Sequence, residues 1–237
     1  MNNLIPNIKK IIPVKLKIHL LKIKYFFSRF QYVNFPNDKI IISPKETLSE
    51  IKLNIDENNN GAYIRFGDGD IFLINNKNKH RNQNINSAIS QEMKDVISMK
   101  NNGLMKSLAI HSNKYGMEAL MKPGSHERPN WEADYFINKT HKFFLGEKIY
   151  SPVSLHYQLL NDKSDIVDCI RIIKNKRPIF VGSEKNDKNI LSNVFGVESF
   201  VKTPHRNAYS EIDEIELELK SKLNVEGFNL VLLSCGP

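Results

Sequence analysis

Residues 43–237 predict an α/β fold, a doubly wound, mostly parallel, Rossmann-like sheet, behind a basic extension at residues 1–42. Three observations carry this. Apolar runs at residues 62–66, 178–181, 197–201 and 228–233 have the length and composition of strands. Segments of helical character separate them, with clear apolar stripes at 89–97 and 166–174. A hydrophobic content of 41%, with charges of both signs, fits a globular chain rather than a disordered one.

Taken in order, the elements begin with Thr47 and Glu50, spaced as a capping box and predicting a helix over 47–55. An Asn-rich turn at 56–61 leads to the strand 62–66, read as short and buried, and then to Gly67-Asp68-Gly69-Asp70. Residues 75–86 read as a polar loop. Ile89, Met93, Val96 and Ile97 form one helical stripe, and 104–110 a strand ending at His111. A loop at 123–131 and a helix at 131–144 follow. There His126, Arg128 and Trp131 are placed to touch a sugar or base, or, for Trp131, to pack. The helix 166–174, the strand 178–181, the turn 182–186 and the helix 187–195 make a strand–glycine–turn–helix unit. Such a unit either offers amides to an anion or is an ordinary turn. Strand 197–201 runs into Lys202-Thr203-Pro204-His205-Arg206-Asn207, a loop rich in donors that suits phosphate or sugar hydroxyls, or is simply solvated. Ser210 and Asp213 open a helix to Leu223, and 228–233 is the last strand. The chain stops at Pro237, directly after that strand, where a covering helix is expected, so it reads as truncated.

Ligands of a parallel sheet bind beyond the carboxyl ends of its strands. The turns at Asp68/Asp70, Ser183/Lys185, His205/Asn207 and Ser234/Gly236 are all such ends, and are expected to line one cleft. Among them 67–70 is the most informative. Gly67 and Gly69 free the backbone to turn sharply and let another molecule come close. In an extended segment Asp68 and Asp70 lean to the same side, and two hard oxygen donors suit Mg²⁺ or Mn²⁺. The competing reading is a glycine turn with solvated aspartates, since acid-x-acid pairs such as Glu214/Glu216 also occur on polar helices. Phe72 stands where a dinucleotide fingerprint needs glycine and where an EF-hand loop needs an oxygen donor. No Gly-Lys-Ser/Thr phosphate loop and no Gly-x-Ser-x-Gly elbow is present.

Arg65-Phe66-Gly67-Asp68-Gly69-Asp70 resembles the Arg-Phe-Gly-Asp-Gly-Glu signature of the GT-D-type glycosyltransferases, bacterial enzymes of surface-glycan synthesis. Residues 43–55 resemble the helix preceding that signature. Val181-Gly182-Ser183-Glu184-Lys185, Asn207-Ala208-Tyr209 and residues 232–237 resemble later family segments, in order. Asp70 replaces the family's glutamate and reaches one methylene less far. The resemblance implies a metal-dependent transfer from a nucleotide-diphosphate sugar, with Asp68 and Asp70 as catalytic and metal-binding residues. Arg65, Gly67, Gly69, Ser183, Glu184, Lys185, His205, Arg206 and Asn207 would then contact substrate. Glu184, Asp187 and His205 are candidate general bases by loop position. The acceptor would be a glycan, a glycopeptide or a lipid-linked molecule. Two alternatives stay open: a membrane-surface scaffold of a glycan-assembly complex, and another metal-dependent nucleotide-sugar or phosphoryl-transfer enzyme.

The net charge of +8 is unevenly placed. Residues 1–37 hold seven Lys/Arg and no acid, whereas the rest has 27 basic and 26 acidic residues. A nucleic-acid-binding face is therefore not expected. The basic, apolar N-terminal segment either lies on an anionic membrane or docks as a terminal helix. Its lysines interrupt every apolar run, which argues against a membrane span or a secretory signal. Cys169 and Cys235 are far apart and have no metal-type spacing, so a reducing cytoplasm is the expected compartment.

Overall fold

The computed structural model describes residues 40–66, 70, 73–74, 87–108, 143–150, 163–226 and 229–234. Seven strands and five helices are defined among them, besides a 3-10 turn. β1 (Ile40–Ile42), β2 (Ala62–Phe66), β3 (Leu104–Leu108) and β4 (Lys148–Tyr150) form a sheet of order β1-β4-β3-β2, parallel at every pairing. β5 (Ile179–Ser183), β6 (Ser199–Thr203) and β7 (Val231–Ser234) form a second parallel sheet of order β6-β5-β7. Strand β1 was expected to belong to the N-terminal extension. Its pairing with β4 places it inside the sheet, so the folded unit starts before residue 43.

Helices cover both faces of each sheet, as double winding requires. Helix α1 (Pro44–Asp56) lies on one face of the first sheet, where Ile51 packs with Ile42, Met105, Tyr150 and Tyr63. On the other face α2 (Ser87–Ser98) brings Ile97, Met93 and Val96 onto Phe66, Leu108 and Ile149. Helix α3 (Lys163–Asn175) packs with β7 through Leu230 and Leu232, and α5 (Ile212–Glu226) covers Ile179, Val181 and Val201 from the opposite side. Between them in sequence, α4 (Lys188–Phe195) adds Phe195 to the α3 cluster.

Helix α1 starts one turn earlier than expected. Ser43 is its N-cap and forms the capping box with Glu46, and Pro44 fills the first turn. Thr47, expected as the cap, is fully buried on the second turn. The overlooked signal is Ser-Pro-x-Glu, a capping box with proline at its first helical position. Strand β2 is also less covered than expected. Among the described residues it is an edge strand of its sheet, Ala62 and Arg65 are exposed, and within the strand only Phe66 is fully buried. The last strand is likewise at an edge, with Leu233 70% exposed.

The two sheets are joined through α1 and α3. Leu48 packs with Ile166, Cys169 and Ile173, and Lys52 pairs with Asp168 at 2.8 Å. Beyond the end of α3, Lys176 donates to the Asp56 carbonyl and to Asn58 Oδ1, both at 2.9 Å. The carboxyl ends of both helices therefore meet. Each leads into the amino end of a strand, β2 or β5.

Lys106 is an unusual core residue, a lysine only 4% exposed in the middle of β3. Its ammonium donates to the carbonyls of Ile97 and Met99 at the end of α2, and to that of Leu145, while sitting 4.4 Å over the Phe144 ring. A cation at a helix carboxyl end answers both the orphan carbonyls and the dipole. Lys106→Met should leave those carbonyls unsatisfied and cost about 1–3 kcal/mol. The loss would be read as a lower urea midpoint at unchanged slope. An unchanged midpoint would mean that the ammonium does not hold α2 and the 143–147 segment together.

Candidate active site

Phe66 ends β2 immediately before Gly67 and is 1% exposed, in one cluster with Ile74, Ile97, Leu108, Phe144 and Ile149. Burying that ring stabilises the strand end by about 1.5–3 kcal/mol. Leu73 and Ile74 are buried on the far side of the turn, and Ser90 of α2 donates to the Ile74 carbonyl at 3.2 Å. Buried apolar residues thus stand before and after residues 67–72. Gly67, Asp68 and Gly69 themselves lie outside the described residues.

Asp70 is half-buried and helical. The expectation that Asp68 and Asp70 lean together because the segment is extended therefore does not describe Asp70. Leu73 and Ile74 are helical as well. Among the described residues no cluster of three or more His, Cys, Asp or Glu is placed to hold a metal. Asp70 nevertheless has the hard-oxygen chemistry that suits Mg²⁺ or Mn²⁺. Arg65, opposite Ser107 in the ladder, is exposed on the α1 face of β2 near its carboxyl end.

In the second sheet the ends lie level, with Ser183 opposite Thr203 and Gly182 opposite Ser234. The turn after β5 closes on itself. Lys185 and Asn186 donate their amides to the Ser183 hydroxyl and carbonyl, and Asp187 Oδ1 accepts from the amides of Asn189 and Ile190. These four amides are spent within the turn, so the ordinary-turn reading accounts for them better than an anion cradle does. Gly182 has a packing reason. A Cβ there would lie 2.6 Å from Cε1 of the buried Phe180 ring. The side chains of Glu184 and Lys185 are exposed, and Ser183 is half-buried.

After β6 the chain passes Pro204 and exposed His205 and Arg206 to Asn207, which adopts the left-handed conformation at φ 56°. Asparagine tolerates that region better than most residues. The Asn207 carbonyl accepts from both the amide and the hydroxyl of Ser210, locking the 3-10 turn Ala208–Glu211. Tyr209 then donates its hydroxyl to Glu92 Oε1 of α2 at 2.6 Å. The loop after β6 is thereby set against the helix that follows the carboxylate turn. Tyr209 was legible only as part of the Asn207-Ala208-Tyr209 segment, and its pairing with Glu92 escaped the sequence reading because the two are 117 residues apart.

His126, Arg128 and Trp131, with the helix expected at 131–144, fall almost wholly outside the described residues, as do His111, residues 1–39 and residues 235–237. No described helix is long and apolar enough to cross a membrane.

A family model for the "Glycosyltransferase GT-D fold" matches residues 63–237. The chain therefore belongs to the GT-D family and is a glycosyltransferase, an enzyme coupling a sugar donor to an acceptor. Solved structures agree on the fold. The domain of unknown function 1792, described as having a distinct glycosyltransferase fold, shares 20% identity at a TM-score of 0.58, covering 90% of this chain and 74% of that one. A glycosyltransferase of that domain class from Streptococcus sanguinis shares 18% at 0.57, covering 84% and 74%. A selenomethionine form of the domain shares 19% at 0.57, covering 84% and 71%. Curated protein sequences gave no match.

Asp187 separates two roles by substitution. Asp187→Asn keeps a capping oxygen and removes the base, and should retain both stability and turnover. Asp187→Ala should lower stability by about 1 kcal/mol in thermal or urea unfolding. Loss of turnover in a fully folded Asp187→Asn protein would instead make this carboxylate the general base.

Proposed function

We propose that this glycosyltransferase takes its sugar from a nucleoside-diphosphate donor with Mg²⁺ or Mn²⁺ held at Asp68 and Asp70, and passes it to an acceptor in cell-surface glycan synthesis. The observation that carries the reading is the placement of Asp70. Its carboxylate follows the anchored carboxyl end of β2, and the carboxyl ends of β5, β6 and β7 lie level with one another in the second sheet. A divalent ion between two carboxylates would neutralise the diphosphate of the leaving nucleotide. Arg65 would add a positive charge beside it, and Lys185 and Arg206, both exposed at neighbouring strand ends, would bind further phosphate oxygens. His205 and Asn207 would supply hydrogen bonds to ribose or sugar hydroxyls.

Asp68→Asn and Asp70→Asn test this. Both should fold, lose metal-dependent thermal stabilisation by nucleotide sugars, and lose donor turnover by at least two orders of magnitude, an amount typical for removal of a main electrostatic contributor. Wild-type turnover in both variants would overturn the assignment.

The same reading places the enzyme on the cytoplasmic membrane face, held there by the basic segment 1–37. Deleting residues 1–30 should leave nucleotide-sugar binding unchanged while abolishing salt-sensitive binding to phosphatidylglycerol-containing vesicles. Equal vesicle binding by the truncated protein would remove the membrane role.

A further inference from the structure

We propose that the Tyr209–Glu92 hydrogen bond is a positioning link, holding the loop after β6 against α2 so that His205, Arg206 and Asn207 are presented to the donor. The proposal rests on the reading that this loop binds the donor.

Each end of the link is attached to something rigid. On one side α2 is fixed by buried Ile89 and Ile97, by Lys106 at its carboxyl end, and by Ser90 bound to Ile74 directly after the carboxylate turn. On the other side Tyr209 lies within a 3-10 turn whose start is locked by two bonds from Ser210 to the Asn207 carbonyl. A shift of Tyr209 is therefore passed to Asn207 and to the two residues before it. The contact runs from a phenol to a carboxylate at 2.6 Å, the short length of a charge-assisted bond. The same bond is the main reason the Tyr209 hydroxyl is held above its ordinary pKa, so the proton remains on the phenol and keeps donating.

The energetic logic separates positioning from stability. A hydrogen bond near the surface contributes little to global folding. An unheld loop, in contrast, must be ordered on binding, and that cost appears in ligand affinity. Loss of the link should therefore weaken the donor complex far more than it lowers the melting temperature. The path also connects two parts of one site, since the turn containing Asp70 meets α2 through Ser90 and the β6 loop meets α2 through Tyr209.

The test uses the full chain with Mn²⁺ and a panel of UDP, GDP, CDP, ADP and dTDP, titrating the one that stabilises the wild type most. Tyr209→Phe should weaken its affinity by about threefold to tenfold while the melting temperature stays within about a degree. Glu92→Ala should match it, Glu92→Gln should restore most of the affinity, and Tyr209→Phe with Glu92→Ala should be no worse than either alone. In an Arg206→Ala background Tyr209→Phe should add little. Hydrogen exchange gives a readout that needs no ligand, because the amides of residues 205–211 should exchange faster in Tyr209→Phe than in wild type. Unchanged exchange there would overturn the link. Faster exchange with unchanged nucleotide affinity would support the link and overturn the assignment of this loop to the donor.

Discussion

The packing of α1 on α3 is the constraint on which the rest depends. Leu48 against Ile166, Cys169 and Ile173 supplies the apolar contact, and Lys52 between Asp165 and Asp168 adds a charged seam. Lys52 and Arg171 hold the Asp168 carboxyl below its ordinary range, the Lys52 bond being the larger cause. Burial pushes the Cys169 thiol up to about 11, so it stays neutral and behaves as a small apolar residue in that seam. The helix ends meet at Lys176, which ties together two short sheets that share no ladder among the described residues.

Apolar burial anchors the chain on both sides of residues 67–72, whereas hydrogen bonds hold the β6 loop. Phe66, Leu73 and Ile74 are 1%, 3% and 0% exposed. The β6 loop has no such anchors. His205 and Arg206 are exposed, and the order of the loop comes from Asn207, Ser210 and Tyr209. Binding loops carried on a rigid scaffold in this manner keep their side chains available while their backbone is restrained.

The glycosyltransferase reading and the local chemistry support each other at different levels. The family match covers residues 63–237 and fixes the enzyme class, while solved relatives at 18–20% identity speak to the fold alone. The turn after β5, for its part, spends its amides internally and needs Gly182 for Phe180. Any phosphate contact there would come from the Lys185 side chain rather than from backbone donors.

The alternation of apolar runs with helical stripes determined the parallel α/β class, and it did so because strand and helix periods are local properties of the chain. The stripe Ile89–Met93–Val96–Ile97 and the strand at β5 were legible for the same reason. The Arg-Phe-Gly-Asp-Gly-Asp run was legible as a motif, since sharp turning and paired acids are written into residue type. Strand order, edge exposure of β2 and β7, and membership of Ile40–Ile42 in the sheet were decided only by tertiary structure. Pairing partners far apart in sequence leave no local periodic signal. The helical conformation at Asp70, in place of the extended one expected, was likewise seen only in the tertiary structure. Tyr209 and Glu92 met only in the tertiary structure, which brought the loop after β6 beside α2.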